Sequence, residues 1–163
     1  MKKLGIPALL AILVAALVAG SAFAATGAKA KKIAFVGTYA GTATTKATDS
    51  VADIVANGAG KATLIGAGKI VGHGTGDSSA QPCVPFTGPG TMTGKAGKLL
   101  FTVLAGSSGC GDEGGHVFSI SGKAKVTKGT GKLKKAKGTL KFTGVYDRDA
   151  GTFTVKFKGT LTA

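Results

Sequence analysis

The chain has 163 residues and a formal charge of +14, from 21 Lys and Arg against 7 Asp and Glu, with 28 Gly, 8 Phe, 2 Tyr, 2 Cys and no Trp. That length supports one modest domain with one core. The sequence has no Gly-x-Ser-x-Gly, His-Glu-x-x-His or phosphate-loop pattern ending in Gly-Lys-Ser/Thr, so the common hydrolase, zincin and nucleotide chemistries lack support.

Residues 1–24 read as a secretory signal peptide. Lys2 and Lys3 form its charged start, 4–18 its apolar stretch, and Ala22-Phe23-Ala24 places small residues before a cleavage site at Ala25. The apolar stretch is shorter than the ~20 residues of a membrane span and no second one follows, so no transmembrane segment is expected after cleavage. The lysine-led form points to a bacterial source, and the expected address is secreted: extracellular, or periplasmic in a Gram-negative cell. Without Lys2 and Lys3 the 21 basic and 7 acidic side chains become 19 and 7, a net +12. Residues 25–31, small and basic with no apolar period, read as a flexible lead-in to a single domain over 32–163.

In 32–39, Ile33, Phe35, Gly37 and Tyr39 share one face of a first strand, and the Thr-rich 41–48 pairs with it or with its successor through a turn at Ala40-Gly41. Residues 49–55 satisfy a helical turn as well as a strand, and both readings stay open. Thr63-Leu64-Ile65 and Lys69-Ile70-Val71 read as short strands about a turn at Gly66-Ala67-Gly68, followed by the Gly-spaced 72–76. The polar 77–85, with Pro82 and Pro85 beside Cys83, reads as a loop ending at a strand edge. Residues 87–94 and 98–104 form a hairpin around Lys95-Ala96-Gly97, and 105–115 form a loop carrying Cys110.

The clearest pattern runs over 116–162. Phe118, Ile120, Ala124 and Val126 alternate with Ser119, Ser121, Lys123 and Lys125; Leu140, Phe142, Gly144 and Tyr146 alternate with Lys141 and Thr143; Phe153, Val155, Phe157, Gly159 and Leu161 alternate with Lys156 and Lys158. A period of two is strand, not helix. Residues 147–151 connect the last two strands. The total is roughly eight short antiparallel strands at the ~8–12-residue spacing of barrels and sandwiches. Gly122, Gly144 and Gly159 inside strands suit the strong curvature of a closed barrel, so the expected fold is an all-β, roughly eight-stranded antiparallel β-barrel, with a β-sandwich as the alternative.

Cys83 and Cys110, in a chain bound for an oxidising compartment, are expected to form one disulfide worth on the order of 3 kcal/mol in the chain-entropy picture. A reactive or metal-bound thiol is the weaker reading.

The segment from Gly129-Thr130-Gly131-Lys132-Leu133 through Lys134-Lys135-Ala136-Lys137-Gly138-Thr139, followed by a strand over 140–146, resembles a stretch of dirigent proteins and of the allene oxide cyclase barrel. That stretch runs Gly-Gly-Thr-Gly-Lys-Phe, two variable residues, Ala-Arg-Gly, then a strand; here Lys128 stands for the first Gly, Leu133 for the Phe and Lys137 for the Arg. The resemblance implies an eight-stranded antiparallel barrel with a central apolar cavity that binds or steers small hydrophobic molecules. A cyclase- or dirigent-like activity would follow from it only with matched pocket residues. None aligns outside the segment, and 25–163 holds a single Glu, Glu113, a single Arg, Arg148, and a single Asn, Asn57.

The loop Gly109-Cys110-Gly111-Asp112-Glu113-Gly114-Gly115-His116 matches Gly-x-Gly-x-x-Gly, but a strand follows where a dinucleotide site needs a helix, and its carboxylates would repel a pyrophosphate. Asp112, Glu113 and His116 meet no ligand motif, and a solvated turn pinned by the disulfide is the stronger reading. His73 with Asp77 is a general-base candidate set against an exposed histidine in a Gly-rich turn, which is favoured. No catalytic residue, metal or cofactor is therefore assigned.

Two functional readings remain. Phe101, Phe118, Phe142, Tyr146, Phe153 and Phe157 share the inward face and would line a cavity for a small hydrophobic molecule, with plain core packing as the competing reading. The lysine-rich last third, centred on Lys132, Lys134, Lys135 and Lys137, would hold anionic envelope polymer or lipid headgroups on a basic outer face, or simply serve as a solvated surface. Nucleic acid is not expected, because stacking aromatics do not interleave with the lysines.

Overall fold

The structure, a computed structural model, describes residues 31–162; the signal segment 1–24 and the rest of the lead-in up to residue 30 lie outside the described residues. Within them the alternation seen in the sequence becomes nine strands: β1 (Lys32–Ala47), β2 (Ala52–Ala62), β3 (Gly66–Gly76), β4 (Cys83–Gly94), β5 (Gly97–Val103), β6 (Ser108–Gly111), β7 (Val117–Gly129), β8 (Lys137–Asp147) and β9 (Thr152–Thr162). All pairings are antiparallel, in the order β3-β2-β1-β9-β8-β7-β5-β4-β6, and a β3–β4 ladder closes the circuit. The fold is therefore a closed eight-stranded barrel with one extra strand, not a sandwich. The only helical element described is the 3-10 turn Gly131–Leu133.

The extra strand β6 continues the line of β5. β5 pairs with β4 at 88–94 and β7 at 124–129, while β6 pairs with β4 at 83–85 and β7 at 118–121. One stave of the barrel is thus broken at 104–107, where Ser107, 1% exposed, donates its hydroxyl to the Leu104 carbonyl and accepts the Lys123 amide. Gly122 lies beneath it, and any Cβ there would overlap the Ser107 side chain.

Three expectations are corrected and one open reading is resolved. Ala40-Gly41 is not a turn: β1 runs straight through, with Gly41 opposite Gly58 on one side and Phe153 on the other. Pairing on both edges outweighs the local turn signal, and the glycine instead permits close approach, since its Cβ would collide with the backbone at Asn57 and Gly58. The open reading at 49–55 resolves to a tight turn and the start of β2, because β2 gains ladder bonds from both β1 and β3. Strand and turn are exchanged at 63–68: Ala62 pairs with Gly66, Leu64 (φ 71°) makes the turn, and Gly66-Ala67-Gly68 begins β3. Finally, the loop at 105–115 contains β6.

One end of the barrel is filled. Phe35, Tyr39, Met92, Leu99, Leu140 and Leu161 are at most 1% exposed, and Ile65 and Leu133 from the end connections pack against the same core. Lys, Ser and Thr predominate at the outward positions of β7, β8 and β9. No helix among the described residues is long and apolar enough to cross a membrane.

Candidate functional site: an apolar cavity open at one end

The inward residues are unevenly sized around the barrel, and that unevenness makes a cavity. β5, β7, β8 and β9 contribute Phe101, Phe118, Phe142, Tyr146, Phe153 and Phe157, whereas β1, β2 and β3 contribute mainly Ala43, Ala52, Ala56, Gly72 and Gly74, with Ile54 and Ile70 as the large exceptions. Large side chains on one wall face mostly small ones on the other, and about 460 Å³ is left between them. This is within the roughly 300–1,000 Å³ range of small-molecule sites.

The aromatic wall holds a chain of four rings, Phe101–Phe157–Phe142–Phe86, and a separate pair, Phe118–Tyr146. Ring centroids are 5.7 Å apart for both Phe101–Phe157 and Phe142–Phe157, 6.1 Å for Phe118–Tyr146 and 6.2 Å for Phe86–Phe142. Such contacts fix the rings against one another and hold the wall in shape. The cavity's polar groups lie towards the mouth: Thr45 donates to the Tyr146 hydroxyl at 3.4 Å, and Thr48, Ser78, Gln81 and Arg148 surround the opening.

Three cross-links brace the mouth. The Cys83–Cys110 disulfide joins residues directly opposite each other on β4 and β6. Ser78 donates to the Thr48 carbonyl at 2.7 Å, tying the β3–β4 loop to the β1–β2 turn. His116 Nδ1 lies 2.7 Å from Asp149 Oδ2, joining the β6–β7 and β8–β9 connections.

All six aromatic residues expected to face inward border the cavity. Phe86, Ile54, Ala56, Ile70 and Gly72 border it as well and were missed. Their signal was present: Gly72, Gly74 and Gly76 alternate with Val71, His73 and Thr75, a period of two in which glycine occupies the inward positions. His73 accordingly lies on the outward side, exposed, and the Asp77 carboxyl accepts the hydroxyl and amide of Ser79, which hold it below the usual carboxylate range. The structure therefore does not assemble a His73–Asp77 pair. Asp112 accepts the His116 amide, which lowers its pKa, while the His116 ring turns to Asp149. Lys132, Lys134 and Lys135 lie exposed in the β7–β8 connection and Lys137 opens β8, all at the filled end and far from the mouth.

Fold and site together define a closed antiparallel β-barrel, disulfide-braced at its mouth, with an apolar interior cavity. Compared with protein-family models, curated proteins and solved structures, the chain matches none.

Proposed function

We propose that the chain is a secreted binding protein that holds a small hydrophobic molecule inside the barrel. The observation that carries this reading is the apolar cavity of about 460 Å³ opening at the braced end. A packed core would have filled such a space, since interiors otherwise leave few voids larger than a water. The disulfide suits the oxidising compartment to which a signal peptide would send the chain. The resemblance of 129–139 to the dirigent and allene oxide cyclase barrels points in the same direction.

Native mass spectrometry of the oxidised protein, purified gently from its secretion medium, tests this together with titration by a neutral apolar dye such as Nile red. A small-molecule mass released on denaturation, or saturable dye binding at one site, is the expected result. A ligand-free protein that also fails to bind the dye would overturn it.

A further inference from the structure

Charge is segregated along the barrel axis. All 7 carboxylates of the chain lie at the mouth end: Asp49 and Asp53 at the β1–β2 turn, Asp77 after β3, Asp112 and Glu113 after β6, Asp147 and Asp149 at the end of β8. The wall made by β1, β9, β8 and β7 is cationic away from the mouth, and the register shows how. Lys123 sits directly opposite Lys141, and Lys141 directly opposite Lys158. The row nearer the filled end places Lys125 opposite Thr139 and Thr139 opposite Thr160; beyond it Lys137 and Lys32 flank Thr162. On the mouth side of the row, Lys156 sits opposite Thr143.

Like charges directly opposite one another destabilise a sheet. Nothing in the fold relieves this row, because the one ion pair among the described residues is His116–Asp149 at the mouth. A shallow depression lined by Lys32, Lys137, Thr160 and Thr162 lies on the same wall. The wall's large exposed apolar residues are Val36, Val117 and Val145 at 45%, 38% and 46%, with no aromatic among them. A membrane-seated surface uses large apolar anchors and a single-strand nucleic-acid groove uses stacking rings, and this wall has neither.

We propose that this wall binds a linear anionic polysaccharide carrying one charged group per sugar, with Lys123, Lys141 and Lys158 as its central contacts and the acidic mouth turned away. The strands stand about 4.8 Å apart, so the lysine row runs across roughly 10 Å of wall and can lie along an extended chain, meeting those of its carboxylates that face the sheet. The Ser and Thr hydroxyls in the flanking rows supply donors and acceptors for sugar hydroxyls. Repulsion within the lysine row is exchanged for attraction when the polymer is seated. The surface differs from the 132–137 cluster expected from sequence: Lys132, Lys134 and Lys135 lie in the β7–β8 connection with no cross-strand register, and only Lys137, opposite Thr162, belongs to the wall's edge.

The test is calorimetric titration of the full mature chain with polygalacturonate at low and at physiological salt. Binding that weakens with salt is expected, and K123Q/K141Q/K158Q should weaken it by roughly tenfold, the combined effect of three solvent-exposed ion pairs. The same variant should melt no lower than the parent, because the substitutions remove repulsion. K61Q/K69Q/K95Q, which removes equal charge from the far side of the barrel, should leave binding within about twofold. Equal losses in the two variants would reduce the effect to net charge and overturn the site. So would failure of the parent to bind polygalacturonate, or its displacement by inorganic polyphosphate or anionic vesicles at lower charge concentration.

Discussion

Gly72 faces the cavity from β3, and a Cβ built on it meets only the Ala56 Cβ at 3.9 Å. Gly72→Leu should therefore grow into empty space. Full burial of a leucine side chain is worth about 1.5–3 kcal/mol, and removing an interior-strand glycine adds roughly 0.5–1. Because the new side chain stays open to the cavity on one side, the net gain should be about 1–2 kcal/mol, or roughly 4–8 °C in Tm for a domain of this size. Gly90 on the neighbouring strand is the control. Its Cβ would overlap the Phe101 ring, so Gly90→Ala should instead destabilise the fold by about 1–3 kcal/mol. Differential scanning calorimetry on both variants, followed by Nile red titration of Gly72→Leu, separates the effects. The reasoning is refuted if Gly72→Leu melts below the parent, which would mean the space is not there, or if it binds dye as tightly as the parent, which would mean that dye sits elsewhere.

Tyr39 is fully buried and its hydroxyl has no hydrogen-bond partner, so Tyr39→Phe should raise stability by about 1 kcal/mol in chemical denaturation. Burial also pushes the Tyr39 hydroxyl up to about 12. Its folded pKa lies above the unfolded value, so its contribution is fully present below pH ~10 and is lost as pH rises through about 12, which phenolate absorbance against pH will follow. Reducing Cys83–Cys110, or replacing both with Ser, should cost about 3 kcal/mol by calorimetry, because the bond restricts the unfolded chain. The Asp112 carboxyl is lowered chiefly by accepting the His116 amide. That bond persists above the usual carboxylate value of ~3.9 and is lost as pH falls through the lowered one, so the His116 amide signal should shift and lose exchange protection only below the usual carboxylate range.

Much of the barrel was legible because side-chain direction has a period of two, and in β7, β8 and β9 the apolar and polar sets are cleanly separated. The disulfide followed from the count and context of its cysteines. The local signal failed where glycine was read as punctuation. At Gly41 and across 66–76 the glycines occupy inward or tightly approached strand positions, and only the neighbouring strands reveal that. The sequence by itself determined which residues alternate, and hence that Phe101, Phe118, Phe142, Tyr146, Phe153 and Phe157 share the inward face. Only the tertiary structure decided that they border a space: a void depends on what stands across the barrel, and β1 to β3 place mostly alanine and glycine there. The lysine row was likewise visible as composition but not as geometry, because cross-strand register, which sets Lys123, Lys141 and Lys158 side by side, is a relation between strands and is carried by none of them alone.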